Sequence, residues 1–153
     1  MGWTDGLILS DAARKSLAAL PAHDLPRGAV LFRPGDLAQG FVVVLAGRIE
    51  VFLTGPSGRE IMLYAVEPGQ SCVQTTLGLM AEESYSGEAH AAVDARVVLI
   101  PRGLFTRLMD TEAGFRGFVM AAFARRMADV TRLLEQVAFG RVEARLATAL
   151  LDL

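Results

Sequence analysis

Only a few side chains in this 153-residue chain are of types that start chemistry, and their spacing decides what they can do. His23 and His90 are the only histidines, with 66 residues between them, and Cys72 is the single cysteine. No His-x-x-His or Cys-x-x-Cys pair joins them, so neither a zinc site nor any other metal site is predicted. One thiol also excludes an internal disulfide and any cluster held by four cysteines of one chain. Nothing basic adjoins Cys72 to activate it, so it is expected to pack as a small buried hydrophobe. Glu82, Glu83 and Glu88 cluster, but without a partner base or nucleophile they read as solvated carboxylates. No nucleophile elbow, phosphate loop or dinucleotide fingerprint is present, so no catalytic residues are assigned and the chain is not expected to be an enzyme. The remaining constellation is one of hydroxyls. Thr75 and Thr76 precede Leu77-Gly78-Leu79-Met80, and Tyr85 and Ser86 follow it. One helical turn over 77–80, bracketed by these hydroxyls, would expose free N–H groups able to meet an anion.

The elements that must position these groups follow from the chain's texture. With 52% hydrophobic and 21% charged residues, one compact domain is expected to bury roughly two thirds of its unfolded surface. No run approaches the ~20 apolar residues of a membrane span, and no basic-then-apolar leader opens the chain. A soluble, cytoplasmic protein without membrane contact is the expectation. Residues 1–115 carry 9 basic and 13 acidic side chains, net −4, while residues 116–153 carry 6 and 4, net +2.

Ser10 to Leu20 has apolar residues at helical spacing, with Ser10 or Asp11 as cap and Pro21 as stop. Short apolar runs then recur at Ala29–Phe32, Phe41–Leu45, Arg48–Leu53, Glu60–Val66, Ser86–Val93 and Arg96–Ile100. Turn residues separate them, the pattern of an all-β sandwich or barrel. Gly55-Pro56-Ser57-Gly58 is the best hairpin signal, and His23 falls in a linker before the first run.

From Pro101 the texture becomes helical, first to Leu108 and then from about Glu112 to Phe139. Met120, Phe123, Met127, Val130, Leu134 and Val137 alternate spacings of three and four, the seam pattern of a coiled coil. Phe118, Val119 and Ala122 supply another apolar face, so the helix needs two partners: its own β domain and a second protomer. A homodimer through residues 112–139 is the expectation. Gly140 is predicted to break this helix, and Arg125 and Arg126 are read as a solvated or salt-bridged face.

The order of these pieces resembles the Crp/Fnr transcription regulators. Arg27-Gly28-x-x-x-Phe32-x-x-Gly35-Asp36 and Phe41 through Val51 look like the start of the cyclic-nucleotide-binding fold. Pro68-Gly69, Leu77-Gly78-Leu79-Met80 and Ala124-Arg125-Arg126-Met127 continue the match in order. Val137-Ala138-Phe139 with Gly140-Arg141-Val142 is similar to the family's junction with its DNA-binding domain. The resemblance implies a mainly β fold with C-terminal helices, a double-stranded β-helix (jelly-roll or β-roll) followed by a long dimerisation helix.

It implies an effector-sensing part over 1–111, the dimer helix over 112–139 and the start of a truncated DNA-binding domain over 140–153. DNA would be met through a C-terminal domain absent from this chain. The implied mechanism is allosteric, an effector between β-roll and helix re-aiming two DNA-binding domains. The family's ribose-binding Gly-Glu and phosphate-binding Arg-Ser are replaced by Thr75-Thr76 and Tyr85-Ser86, with a two-residue insertion before Thr75. Val130 and Thr131 fall where relatives touch the purine. The effector-pocket candidates are therefore Thr75, Thr76, Tyr85, Ser86, Val130 and Thr131, and cyclic AMP is not expected to bind in the usual way. No cofactor is predicted and the effector is unknown. The rival is a stand-alone small-molecule-binding or protein-interaction module on the same fold.

Overall fold

The computed structural model describes residues 3–82 and 84–151, with their side chains except those of residues 73, 74, 77, 141–149 and 151. A short helix, α1 (Asp11–Ala18), precedes β1 (Ala22–Leu25), β2 (Val30–Phe32), β3 (Gly40–Ala46), β4 (Ile49–Thr54) and β5 (Glu60–Val66). Then follow α2 (Val73–Ala81), β6 (Glu88–Ala91), β7 (Ala95–Pro101), α3 (Arg102–Thr111) and α4 (Ala113–Leu151). All strand pairings are antiparallel, in two sheets ordered β1-β7-β3 and β2-β6-β4-β5. This is the expected β-roll followed by a long helix.

Strand β3 explains why the chain needs helices at all. Residues 40–44 are buried without alternation, so both faces of the strand are covered. Phe41, Val43, Val44, Ile49, Val51 and Val66 exclude water completely. Helices α2 and α3 both pack on β3, and α4 packs on α2 and α3. The turn from β3 to β4 requires Gly47: its φ is +82°, and a β-carbon there would run into the Asp94 carbonyl.

Ser10 caps α1 through Ala13 N–H at 3.2 Å, and it is itself held by Glu112. Its backbone N–H donates to one carboxylate oxygen at 2.8 Å and its hydroxyl to the other at 3.1 Å. The first helix is thereby fixed to the junction between α3 and α4.

Four sequence expectations are corrected. His23 lies in β1, opposite Val97 of β7, and not in a linker. Pro101 ends β7 and caps α3; the helix itself starts at Arg102. The turn expected over 77–80 is a nine-residue helix beginning at Val73, with buried Cys72 as its cap residue. Gly140 does not break α4, which continues to Leu151 for 39 residues. One glycine costs a helix interior only about 1 kcal/mol, and the flanking residues are mostly good helix formers. At 1.5 Å per residue the helix is about 58 Å long, well beyond the β-roll's own dimensions.

Because Gly140 has open space around it and no positive φ, Gly140→Ala is expected to stabilise the chain by about 0.5–1 kcal/mol. Chemical unfolding monitored by circular dichroism measures this. A loss of stability would mean that the helix ends at Gly140.

Candidate functional site

Three stretches converge beside β3: the turn 33–39, helix α2 and the segment 84–86. Paired backbone bonds lock the two irregular stretches together. Gly35 N–H donates to the Tyr85 carbonyl at 2.8 Å, and Tyr85 N–H donates to the Asp36 carbonyl at 2.9 Å. An isolated bridge between Leu37 and Ser84 extends the pairing. The Asp36 carboxylate caps its own turn by accepting from Arg33 N–H at 2.9 Å. These contacts seat the Tyr85 ring on Phe32, nearly parallel, with centroids 3.9 Å apart.

The result is a cleft of about 410 Å³ lined by Leu31, Phe32, Asp36, Val42, Thr75 and Tyr85, with Leu37, Gln39, Gly40 and Leu99 at its margins. Tyr85 is 6% exposed, and its hydroxyl has no hydrogen-bond partner among the described residues. Burial pushes its ionisation well above the usual tyrosine range, and Cys72 and Asp36 push it the same way against Arg102. The phenol therefore stays neutral and offers the cleft an O–H donor. Asp36 adds an exposed carboxylate, and no cationic side chain lines the cleft.

Thr75 and Thr76 are 1% and 2% exposed, and their hydroxyls are already committed. Thr75 Oγ1 donates to the Cys72 carbonyl at 2.7 Å and accepts from Val42 N–H at 3.3 Å, stitching α2 to β3. Thr76 Oγ1 donates to the same carbonyl at 3.4 Å. Both lie within the first turn of the helix with their hydroxyls turned back to the Cys72 carbonyl, so they do not form the free hydroxyl rim that the sequence suggests.

Of the six pocket candidates, the structure brings Thr75 and Tyr85 to one cleft. Ser86 is exposed beside it, and Val130 and Thr131 stand exposed on α4 away from it. Thr131 turns its hydroxyl back to the Met127 carbonyl at 2.8 Å. Asp36, Gln39 and Leu99 enter the cleft without a signal in sequence, since only the β3–β7 register and the 33–39 turn bring them there.

Arg126, expected on a solvated or salt-bridged face, is bridged to Asp129 at 3.8 Å and also turns inward. Its guanidinium lies over the Tyr64 ring, 4.7 Å from the centroid, and donates to the Ala65 carbonyl at 3.1 Å. It straps α4 to β5. No helix among the described residues is long and apolar enough to cross a membrane.

A roll of two antiparallel sheets, a short helix packed on β3 and a long trailing helix define the class of fold, a β-roll with a C-terminal helix. The chain belongs to the cyclic nucleotide-binding domain family, which matches residues 22–112. It is 28% identical over 128 residues to the cyclic AMP receptor protein of Thermus thermophilus, covering 84% of this chain and 58% of that protein. It is 29% identical over 115 residues to lysophospholipase nte1 of Aspergillus oryzae, covering 75% of this chain but 7% of that enzyme. The chain thus spans little more than half of the first of these relatives and a small part of the second. Among solved structures, a Crp/Fnr-family transcriptional regulator from Eubacterium rectale superposes with a TM-score of 0.74 at 22% identity. That superposition covers 84% of this chain and 60% of the other.

Two substitutions separate the structural hydroxyl from the open one. Thr75→Val removes the bond to Cys72 and leaves Val42 N–H unpaired, an expected cost of about 1–3 kcal/mol. Tyr85→Phe acts through pH. Below about pH 10 the phenol is neutral in both folded and unfolded chains. Above that the unfolded chain ionises first, so wild-type stability falls as pH climbs from about 10 towards the raised folded value. Urea unfolding at pH 8 and pH 11 is expected to show a smaller alkaline loss for Tyr85→Phe than for wild type.

Proposed function

We propose that this chain is the effector-sensing and dimerisation part of a Crp/Fnr-like transcription regulator, without catalytic activity of its own. The observation that carries the reading is the continuity of α4. Its first turns are core, with Phe115 and Val119 excluded from water. Further along, Met120, Met127, Val130, Leu134 and Val137 present an uncovered apolar stripe, with Phe123 half-buried at the same spacing. Leu134 is 64% exposed in the single chain. A stripe of this spacing fits a second copy of the same helix, each protomer covering the other. Residues 112–139 supply this seam, and residues 140–153 lead from it into a DNA-binding domain in the complete regulator.

An effector in the Tyr85 cleft touches Thr75 of α2 and Val42 of β3. Since α2 packs on α4, a change in how α2 sits would reach the helix pair and re-aim DNA-binding domains carried beyond it. Cyclic AMP is a poor fit for this cleft. An anionic phosphate would meet the Asp36 carboxylate and a neutral phenol, and no guanidinium lines the cleft, the nearby Arg102 donating to the Ala38 carbonyl. The cytoplasm, where such regulators meet DNA, is the compartment this reading requires.

Light scattering behind size exclusion is expected to give a dimer at micromolar concentration, and Leu134→Glu a folded monomer. A wild-type monomer across that range would overturn the seam. Isothermal titration with cyclic AMP is expected to show no micromolar binding, and saturable binding in that range would refute the proposed selectivity.

A further inference from the structure

A second, smaller concavity lies where α4 leans on the segment 69–71 between β5 and α2. It has a volume of about 90 Å³ and a shallow apolar floor of Phe118, Ala121 and Ala122. Its polar lining consists of Gln70, Ser71, Arg125 and Arg126, and no carboxylate lines it. Ser71 is 4% exposed and places its hydroxyl in the lining. The Gln70 side-chain oxygen accepts from Glu67 N–H at 2.9 Å, which leaves the amide nitrogen as a donor.

The two arginines are poorly neutralised. Arg125 has no ion-pair partner among the described residues, and Arg126 reaches Asp129 only at 3.8 Å. The other oxygen of Asp129 is taken by Arg132 at 2.6 Å, and Glu67 is held by Arg48 at 2.8 Å. Four donor groups therefore converge on a space with few acceptors. An anion entering there would meet the exposed Arg125 guanidinium with no carboxylate to compete for it.

We propose that this crevice binds a tetrahedral oxyanion, the phosphate of a small phosphate monoester or inorganic phosphate itself. The volume admits one such group and no nucleoside, so any organic remainder projects into solvent. Guanidinium groups meet phosphate oxygens in pairs, and the Ser71 hydroxyl supplies a donor from the opposite wall. The anion would bridge the 69–71 segment to α4, fixing the angle at which the helix leaves the β-roll. This site is separate from the Tyr85 cleft and does not depend on what that cleft holds.

Isothermal titration of the purified chain with sodium phosphate and with glycerol 3-phosphate, against sodium chloride at equal ionic strength, tests it. Saturable binding of phosphate and none of chloride is expected. Arg125→Gln and Ser71→Ala are each expected to weaken binding at least about tenfold. Ala122→Leu leaves all four donors in place but fills the floor, and is expected to abolish binding with the thermal midpoint retained. Tyr85→Phe should bind as wild type does. Tighter binding of glycerol 3-phosphate than of phosphate supports the site with a monoester as ligand, and equal binding supports it with free phosphate. Equal heats from chloride, no saturation by about 10 mM, or unchanged binding in Arg125→Gln or Ala122→Leu would overturn the proposal.

Discussion

The aromatic cluster around Phe41 joins the β-roll to everything that follows it in the chain. Phe41 is fully buried at the start of β3, with Phe105 of α3 at 5.2 Å and Phe115 of α4 at 5.9 Å. Phe105 and Phe115 are themselves 5.9 Å apart in an edge-to-face arrangement. Phe118 sits edge-on to Phe41 at 6.4 Å and carries Trp3 on its other side at 5.4 Å. Strand, two helices and the N-terminal segment therefore share one set of rings. Such packing contributes both buried area and a preference for specific ring geometry, so α4 leaves the roll in a defined direction. Without this cluster, the distal half of a 39-residue helix would have no fixed relation to the sheets.

From the same strand, one residue further on, comes the connection to the ligand side. Val42 N–H bonds to Thr75 Oγ1, and Cys72 N–H donates to the Val42 carbonyl at 3.1 Å. Both polar groups of Val42 are thus used to hold the start of α2. Phe41 faces the helices and Val42 lines the cleft, so adjacent residues of β3 face the helix packing and the cleft in turn. Side chains of neighbouring strand residues point to opposite faces, and here that alternation separates the cleft from the helix packing.

Much of the scaffold is legible from residue pattern because its strands are bounded by strong punctuation. Gly47, Gly55-Pro56-Ser57-Gly58 and Pro68-Gly69 mark turns that the structure places within a residue or two of expectation. Strand β1 is not legible: Ala22-His23-Asp24-Leu25 is short, polar at its centre and flanked by prolines, and it becomes a strand only by pairing with β7. Helix α2 is under-read for a related reason. Val73-Gln74-Thr75-Thr76 has β-branched and polar residues of low helix propensity, and the helix is secured by the two threonine bonds to Cys72 and by burial. Tyr85 is identifiable as a candidate from its place in the motif, but its partners are not. Phe32 and Asp36 reach it through backbone pairing between 35–37 and 84–85, which no local pattern encodes.

The uneven charge also takes a different meaning once the side chains are placed. Residues 116–153 carry a net +2, and in sequence Arg125 and Arg126 read as a solvated or salt-bridged face. Yet Arg116 donates to the Met109 carbonyl and Arg126 to the Ala65 carbonyl, both tying α4 back to its own domain. Arg132 is paired with Asp129. Among the described arginine side chains of α4, Arg125 alone is without such a partner, and it stands at the mouth of a crevice with room for one small anion. Among the described arginines of α4, the charge of Arg116 and Arg126 is therefore turned back onto the chain's own domain. What these two arginines do for the chain itself is join α4 to α3 at Met109 and to β5 at Ala65, adding polar ties to the aromatic packing around Phe41.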